Sequence, residues 1–136
     1  PNGELVRLCY SGKYTEKEMI KQLVGKAGFN AYCGSNDARD IEAMAKNGDE
    51  HAQLVFDAFL YQVSKDIGAQ AAVLSGKVDQ IILTGGIAYG KYATEEITKR
   101  VQFIAPVTVY GGEDELLALA QGALRVLNGE EEAKVY

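Results

Sequence analysis

Residues 83–92 read LTGGIAYGKY, and Gly85, four residues, then Gly90-Lys91 is the spacing of the phosphate-binding loop G-x-x-x-x-G-K-[ST]. The last position fails, because Tyr92 stands where that loop needs a small hydroxyl to hold Mg²⁺. The stretch is therefore a damaged phosphate loop, an accident of a glycine-rich chain, or a different nucleotide-binding device. A second candidate is the acidic triplet Glu113-Asp114-Glu115. Acids in the first turn of a helix satisfy its dipole and cap its free N–H groups, but one of them can also orient a hydrated Mg²⁺, which takes one or two carboxylates plus water and substrate phosphate. The third is Gly34–Asp40, GSNDARD. Ser35 or Asp37 there is explained by helix capping and Arg39 with Asp40 by a surface pair. The same small turn also suits a ribose or base, through hydrogen bonds and guanidinium stacking.

Elements must bring these groups together. Val78–Leu83 is a strand-like run followed by Thr84-Gly85-Gly86, and a helix is expected from about Thr94, with Glu95 and Glu96 in its first turn and Lys99 and Arg100 near its end. Pro106 closes that region. Val107–Tyr110 is a second strand, Gly111-Gly112 a second glycine pair, and a helix then runs from Glu113 through Leu116, Leu119, Ala123 and Leu127 to Gly129. Strand, covering helix and strand in succession read as a crossover between parallel strands. Ligands of open α/β sheets bind beyond the carboxyl ends of such strands, where both glycine pairs fall, and a glycine there lets backbone approach a flat or charged ligand. With Tyr92 in the wrong place and the helix expected only at Thr94, the phosphate-loop reading weakens, and Lys91 is left as a phosphate contact or a solvated side chain.

The first half is expected to begin with a strand over Leu5–Tyr10. A capping box at Thr15–Glu18 opens a helix with Met19, Ile20, Leu23 and Val24 inside, and Gly28–Gly34 is read as a short extended segment. A helix capped at 35–37 carries Ile41, Met44 and Ala45. The longest helix runs from Asp49 to about Ser75, with Val55, Phe59, Val63 and Ile67 on its inner stripe and Leu54, Leu60 and Ala72 off it. That spread predicts a helix in the middle of the domain.

At 136 residues the chain is one domain with enough length for a sizeable core. A formal net charge of −5 argues against a nucleic-acid partner held by its phosphates. No apolar run approaches a membrane span, and nothing resembles a signal peptide. Cys9 and Cys33 are the only cysteines, read as reduced thiols in a cytoplasmic protein, and His51 is the only histidine, read as a helix-surface or packing residue. The chain opens Pro1-Asn2-Gly3 without Met, as expected of a processed product, a fragment or part of something longer.

The stretches GSNDARDIE (34–42), VDQIILTGGIAYGK (78–91) and VYGGEDELLALAQGALRVL (109–127) together resemble the butyrate kinases, short-chain carboxylate kinases of the acetate kinase, sugar kinase, heat-shock ATPase and actin superfamily. The similarity runs through essentially the whole chain. The last block is specific to butyrate-type kinases, while the Gly-Gly block is shared across the superfamily. The resemblance implies an α/β, ribonuclease-H-like (actin-like ATPase) fold portion, with a mixed sheet of parallel strands and covering helices. It implies that residues 1–136 are the carboxy-terminal nucleotide-binding part of a two-domain carboxylate kinase whose amino-terminal domain is absent here.

By the same resemblance the glycine stretch is an adenosine motif, with Gly85, Gly86 and Ile87 lining the nucleoside and continuing to Gly90. Asp37, Ala38 and Arg39 surround adenine and ribose. Glu115 lies near Mg²⁺, with Glu113 the second choice. The implied reaction is ATP + butanoate ⇌ ADP + butanoyl phosphate, with ATP and Mg²⁺ required and no catalytic residue in this part, so that the chain alone is inactive. The implied partners are small molecules, with no nucleic acid or membrane, and the intact enzyme self-associates. A nucleotide-binding module without catalysis, or a kinase for branched-chain or other short-chain acids, is the alternative. Two positions depart from the family pattern: Gly111 replaces a usual proline, and Gly90 a usual small polar residue.

Overall fold

The computed structural model describes residues 2–112 and 115–134, the side chain of Glu115 excepted. Its centre is α5 (Glu50–Val73), against which α4 (Ala38–Lys46) and α6 (Lys91–Val101) both pack. Asp49 caps α5 by accepting from Ala52 N–H, and Asp37 caps α4 by accepting from Arg39 N–H. The residues that α5 buries are Ala52, Phe56, Leu60 and Ser64, one i, i+4 row. Phe59, Val63 and Ile67, expected on the inner stripe, lie half-buried beside that row. The shift has a physical cause: α5 is apolar on more than one stripe, and its two covering helices straddle the row between them. Ser64 tolerates burial because its Oγ donates to Leu60 O at 2.8 Å.

Ile41 of α4, Phe56 and Leu60 of α5 and Val101 of α6 are the largest fully buried side chains. Each contributes about 1.5–3 kcal/mol through removal from water. Strand β1 (Ile81–Gly85) pairs in parallel with β2 (Val107–Gly111), in register from Ile81 opposite Val107 to Gly85 opposite Gly111. The sole antiparallel feature of this described sheet is an isolated Gly85–Gly112 bridge. Helix α6 connects the two strands, as the strand–helix–strand pattern predicts.

Several local expectations are corrected. Residues 2–9 form α1 (Asn2–Cys9), not a strand, with Glu4 and Arg7 paired along its surface. A short apolar run fits either period, and with no strand beside it among the described residues a helix satisfies the backbone internally. After α2 (Glu16–Lys21), whose Thr15–Glu18 capping box is complete, only Met19 is buried; Ile20, Leu23 and Val24 are exposed. Residues 28–34 hold the short helix α3 (Phe29–Cys33) rather than an extended segment: Gly28 and the left-handed Gly34 are its caps. Phe29 is drawn in against Phe59, ring centroids 4.8 Å apart. Helix α6 begins at Lys91, not Thr94, which places Glu96 in its second turn, paired with Lys99 and Arg100. Helix α7 (Glu115–Leu127) exposes Leu116, Leu119, Leu124 and Leu127. No helix among the described residues is long and apolar enough to cross a membrane.

Candidate functional site

A cleft opens between the start of α4 and the turn that leaves β1. Gly85 ends the strand with φ +84° and ψ −175°, a combination reached essentially by glycine alone. It delivers the chain into a 3₁₀ turn over Gly86–Tyr89 that presents Gly86 and Ile87 toward α4. Opposite them stand Asn36, Asp37, Ala38 and Arg39, and this lobe encloses about 580 Å³. A second lobe of about 280 Å³ shares Ala38, Arg39, Gly86 and Ile87 and adds Glu42, Lys46, Tyr89 and Gly90 over a floor that includes Phe56. Both glycine-rich and arginine-bearing stretches therefore meet on one side of the molecule. Of the nucleoside residues expected from sequence, Asp37, Ala38, Arg39, Gly86, Ile87 and Gly90 line this cleft. Gly85 stands behind the wall and sets its backbone. Glu113 lies outside the described residues; Glu115 opens α7 and its side chain is not described.

The electrostatics of the rim centre on Asp37 and Arg39. Arg39 Nη2 donates to Asp37 Oδ2 at 2.5 Å, Nε reaches both carboxylate oxygens, and the Arg39 backbone N–H donates to Oδ1 at 2.9 Å. These hydrogen bonds, the side-chain ones foremost, hold the Asp37 carboxyl at about 2. Capping thus accounts for Asp37, yet the Arg39 side chain stays 82% exposed and offers a planar cationic surface to the cleft.

The phosphate-loop question is decided by Tyr92 and by the turn itself, not by the helix start. Tyr92 Oη donates to Asp57 Oδ1 at 2.6 Å and accepts from Gln53 Nε2 at 3.0 Å, and its ring stacks beside Phe56. The Asp57 hydrogen bond, aided by burial, pushes its hydroxyl up to about 12. Tyr92 is thus committed to α5 and has no free oxygen for an ion at the loop. The turn closes on itself, with Gly90 N–H donating to Ile87 O at 2.9 Å. Lys91 is exposed and nearest in charge to Glu95, at 3.7 Å. His51 sits exposed in the first turn of α5 with Nε2 3.2 Å from Tyr32 O, a helix-surface position in keeping with the expected helix-surface or packing role.

Sequence reasoning missed Glu42 and Lys46. The signal was present: Ala38, Glu42 and Lys46 repeat at i, i+4 and share one helix face.

A sequence profile of the Acetokinase family matches residues 7–133. The chain belongs to this family. Among relatives, it is 62% identical over 136 residues to "Butyrate kinase 2" of Clostridium acetobutylicum, covering all of this chain and 38% of that protein. It is 54% identical to a "Probable butyrate kinase" of Clostridium botulinum, again covering all of this chain and 38% of the relative. The chain thus spans well under half the length of these family members. The fold is likewise that of the crystal structure of Porphyromonas gingivalis acetate kinase, with a TM-score of 0.77 at 24% identity over 93% of this chain and 38% of that one.

Proposed function

We propose that this chain is the adenosine-holding, carboxy-terminal part of a longer two-domain butyrate kinase, which catalyses ATP + butanoate ⇌ ADP + butanoyl phosphate. The observation that carries this reading is the meeting of residues 36–39 with Gly86 and Ile87 across one cleft. Support for the acyl class comes from the printed names of relatives at 54–62% identity.

In the reaction, a carboxylate oxygen of butanoate attacks the γ-phosphorus in line, the new O–P bond forms, and ADP leaves with the electrons of the broken bond. Phosphoryl transfer leaves little covalent work for side chains, so the protein contributes position and charge neutralisation. Here Gly86 lets the nucleoside lie against backbone, Ile87 supplies apolar contact, Arg39 stacks or hydrogen-bonds at its edge, and Asp37 fixes Arg39. Mg²⁺ bound with the nucleotide neutralises charge on its phosphates. Glu115, at the start of the helix beyond Gly112, is the residue proposed to help hold it, with Glu113 second. The rest of the longer polypeptide supplies the acyl site and the groups beside the transferred phosphoryl. A cytoplasmic setting and self-association of the intact enzyme belong to the same reading.

The test is Gly86→Val in the full-length enzyme. Side-chain bulk against the nucleoside is expected to weaken ATP binding at least tenfold by calorimetry, and unchanged affinity would remove the loop from the site. The chain by itself is expected to form no acyl phosphate in a hydroxylamine-trapping assay; turnover by a rigorously purified sample would overturn that part.

A further inference from the structure

Glu42 is a carboxylate in a place that needs a reason. It lies on the cleft face of α4, one turn beyond Ala38, and its side chain is only 13% exposed. Oε1 is buried and, among the described residues, accepts no hydrogen bond. Lys46 Nζ stands 2.9 Å from it, close enough for an ion pair but outside hydrogen-bonding angle, and that lysine is itself 65% exposed. A largely buried carboxylate served from one side by an exposed ammonium is short of donors, and desolvating it without them is costly.

The other oxygen, Oε2, lies against Gly90. A Cβ at position 90 would stand 3.1 Å from Oε2 and 3.2 Å from Ile87 O. The carboxylate therefore takes up space beside Gly90 that a side chain would otherwise claim. Around it are the side chains of Ile87 and Tyr89 and the almost fully buried Phe56, and Arg39, Lys46 and Lys91 line the same lobe, so Glu42 is the one anionic acceptor there among apolar surface and cations. A planar aromatic group carrying an N–H donor is what such a wall accepts.

We propose that Glu42 is a specificity-determining residue that reads the nucleobase, its carboxylate accepting a hydrogen bond from the exocyclic amine of the bound purine. This rests on the reading of the cleft as a nucleoside site. It also gives the nucleotide a direction, base toward Glu42 and phosphates away from it. Glycine at 90 is then the partner of Glu42, since a polar side chain there would displace the reading group.

The experiment compares two nucleotides in the full-length enzyme by calorimetry: ATP, and purine riboside triphosphate, which has hydrogen in place of the amine. ATP is expected to bind roughly tenfold or more tightly, the size of one hydrogen bond to a charged acceptor. Glu42→Ala is expected to bring that ratio close to one, and Glu42→Gln, which keeps an acceptor and the shape, to leave it in between. A purely structural Glu42–Lys46 pair would weaken both nucleotides alike and leave the ratio unmoved, which would overturn the proposal. Equal binding of the two nucleotides by the wild type would overturn it without any variant and leave the nucleoside site standing. Binding of neither would bring down the site and this inference together.

Discussion

Exchanging glycine for alanine at positions 85 and 68 should move stability in opposite directions, and the backbone alone sets the sign. Gly85 sits at φ +84°, ψ −175°, and its N–H and C=O are both tied to Gly112, at 3.3 and 3.4 Å. Alanine must either hold a conformation that costs about 1–3 kcal/mol or swing out of it and loosen those two bonds. Gly68 lies inside α5 at ordinary helical angles, and a Cβ there meets nothing within 4 Å. Alanine at 68 should therefore stabilise by about 0.5–1 kcal/mol, chiefly by restricting the unfolded chain. With a urea dependence of about 2 kcal/mol per molar, Gly85→Ala lowers the unfolding midpoint by roughly 0.5–1.5 M and Gly68→Ala raises it by roughly 0.25–0.5 M. Far-UV circular dichroism follows both. Shifts of the same sign, or no shift at Gly85→Ala, would refute the claim that the turn after β1 demands glycine for its backbone.

Other expectations follow from the same contacts. Tyr92→Phe removes the donor to Asp57 and should cost about 1–3 kcal/mol in the same unfolding assay. Because the folded hydroxyl titrates near 12 and an unfolded tyrosine near 10, the wild type should lose stability as pH rises between those values, and the variant should lose less; absorbance of the ionised phenol tracks the step. Asp37 has the opposite sign. Its depressed carboxyl contributes stability that is fully present above the unfolded value near 4 and lost as pH falls through about 2. A carbon-detected NMR titration should show that low midpoint, moving up in Arg39→Ala.

What could be read from sequence divides by range. The rim was legible because glycine pairs after β-branched runs and an Asp-x-Arg at a helix start carry their geometry locally. The capping box at Thr15 and the β1–α6–β2 crossover were legible for the same reason. The first ten residues were not: LVRLCY satisfies both periods, and what decides is whether a strand lies alongside. From sequence Gly28 and Gly34 read as the ends of an extended piece, whereas their positive φ values cap a helix that Phe29 anchors. The phase of α5 depended on two neighbouring helices rather than on its own pattern. Glu42 was overlooked because a Glu-x-x-x-Lys pair reads as solvated surface until a third element, the turn at Gly90, closes over it.

Tyr89 occupies the space that the usual proline at position 111 would need. Though largely exposed, its ring rests on both residues of the distant glycine pair: an added Cβ would stand 3.1 Å from it at position 111 and 2.5 Å from its hydroxyl at 112. Proline, bulkier than alanine, would have to evict that ring. The rigidity an imino acid would lend to the bend after β2 is thus supplied from across the ladder by an aromatic wedge. Restoring the proline alone would unseat the wedge; the two positions have to change together.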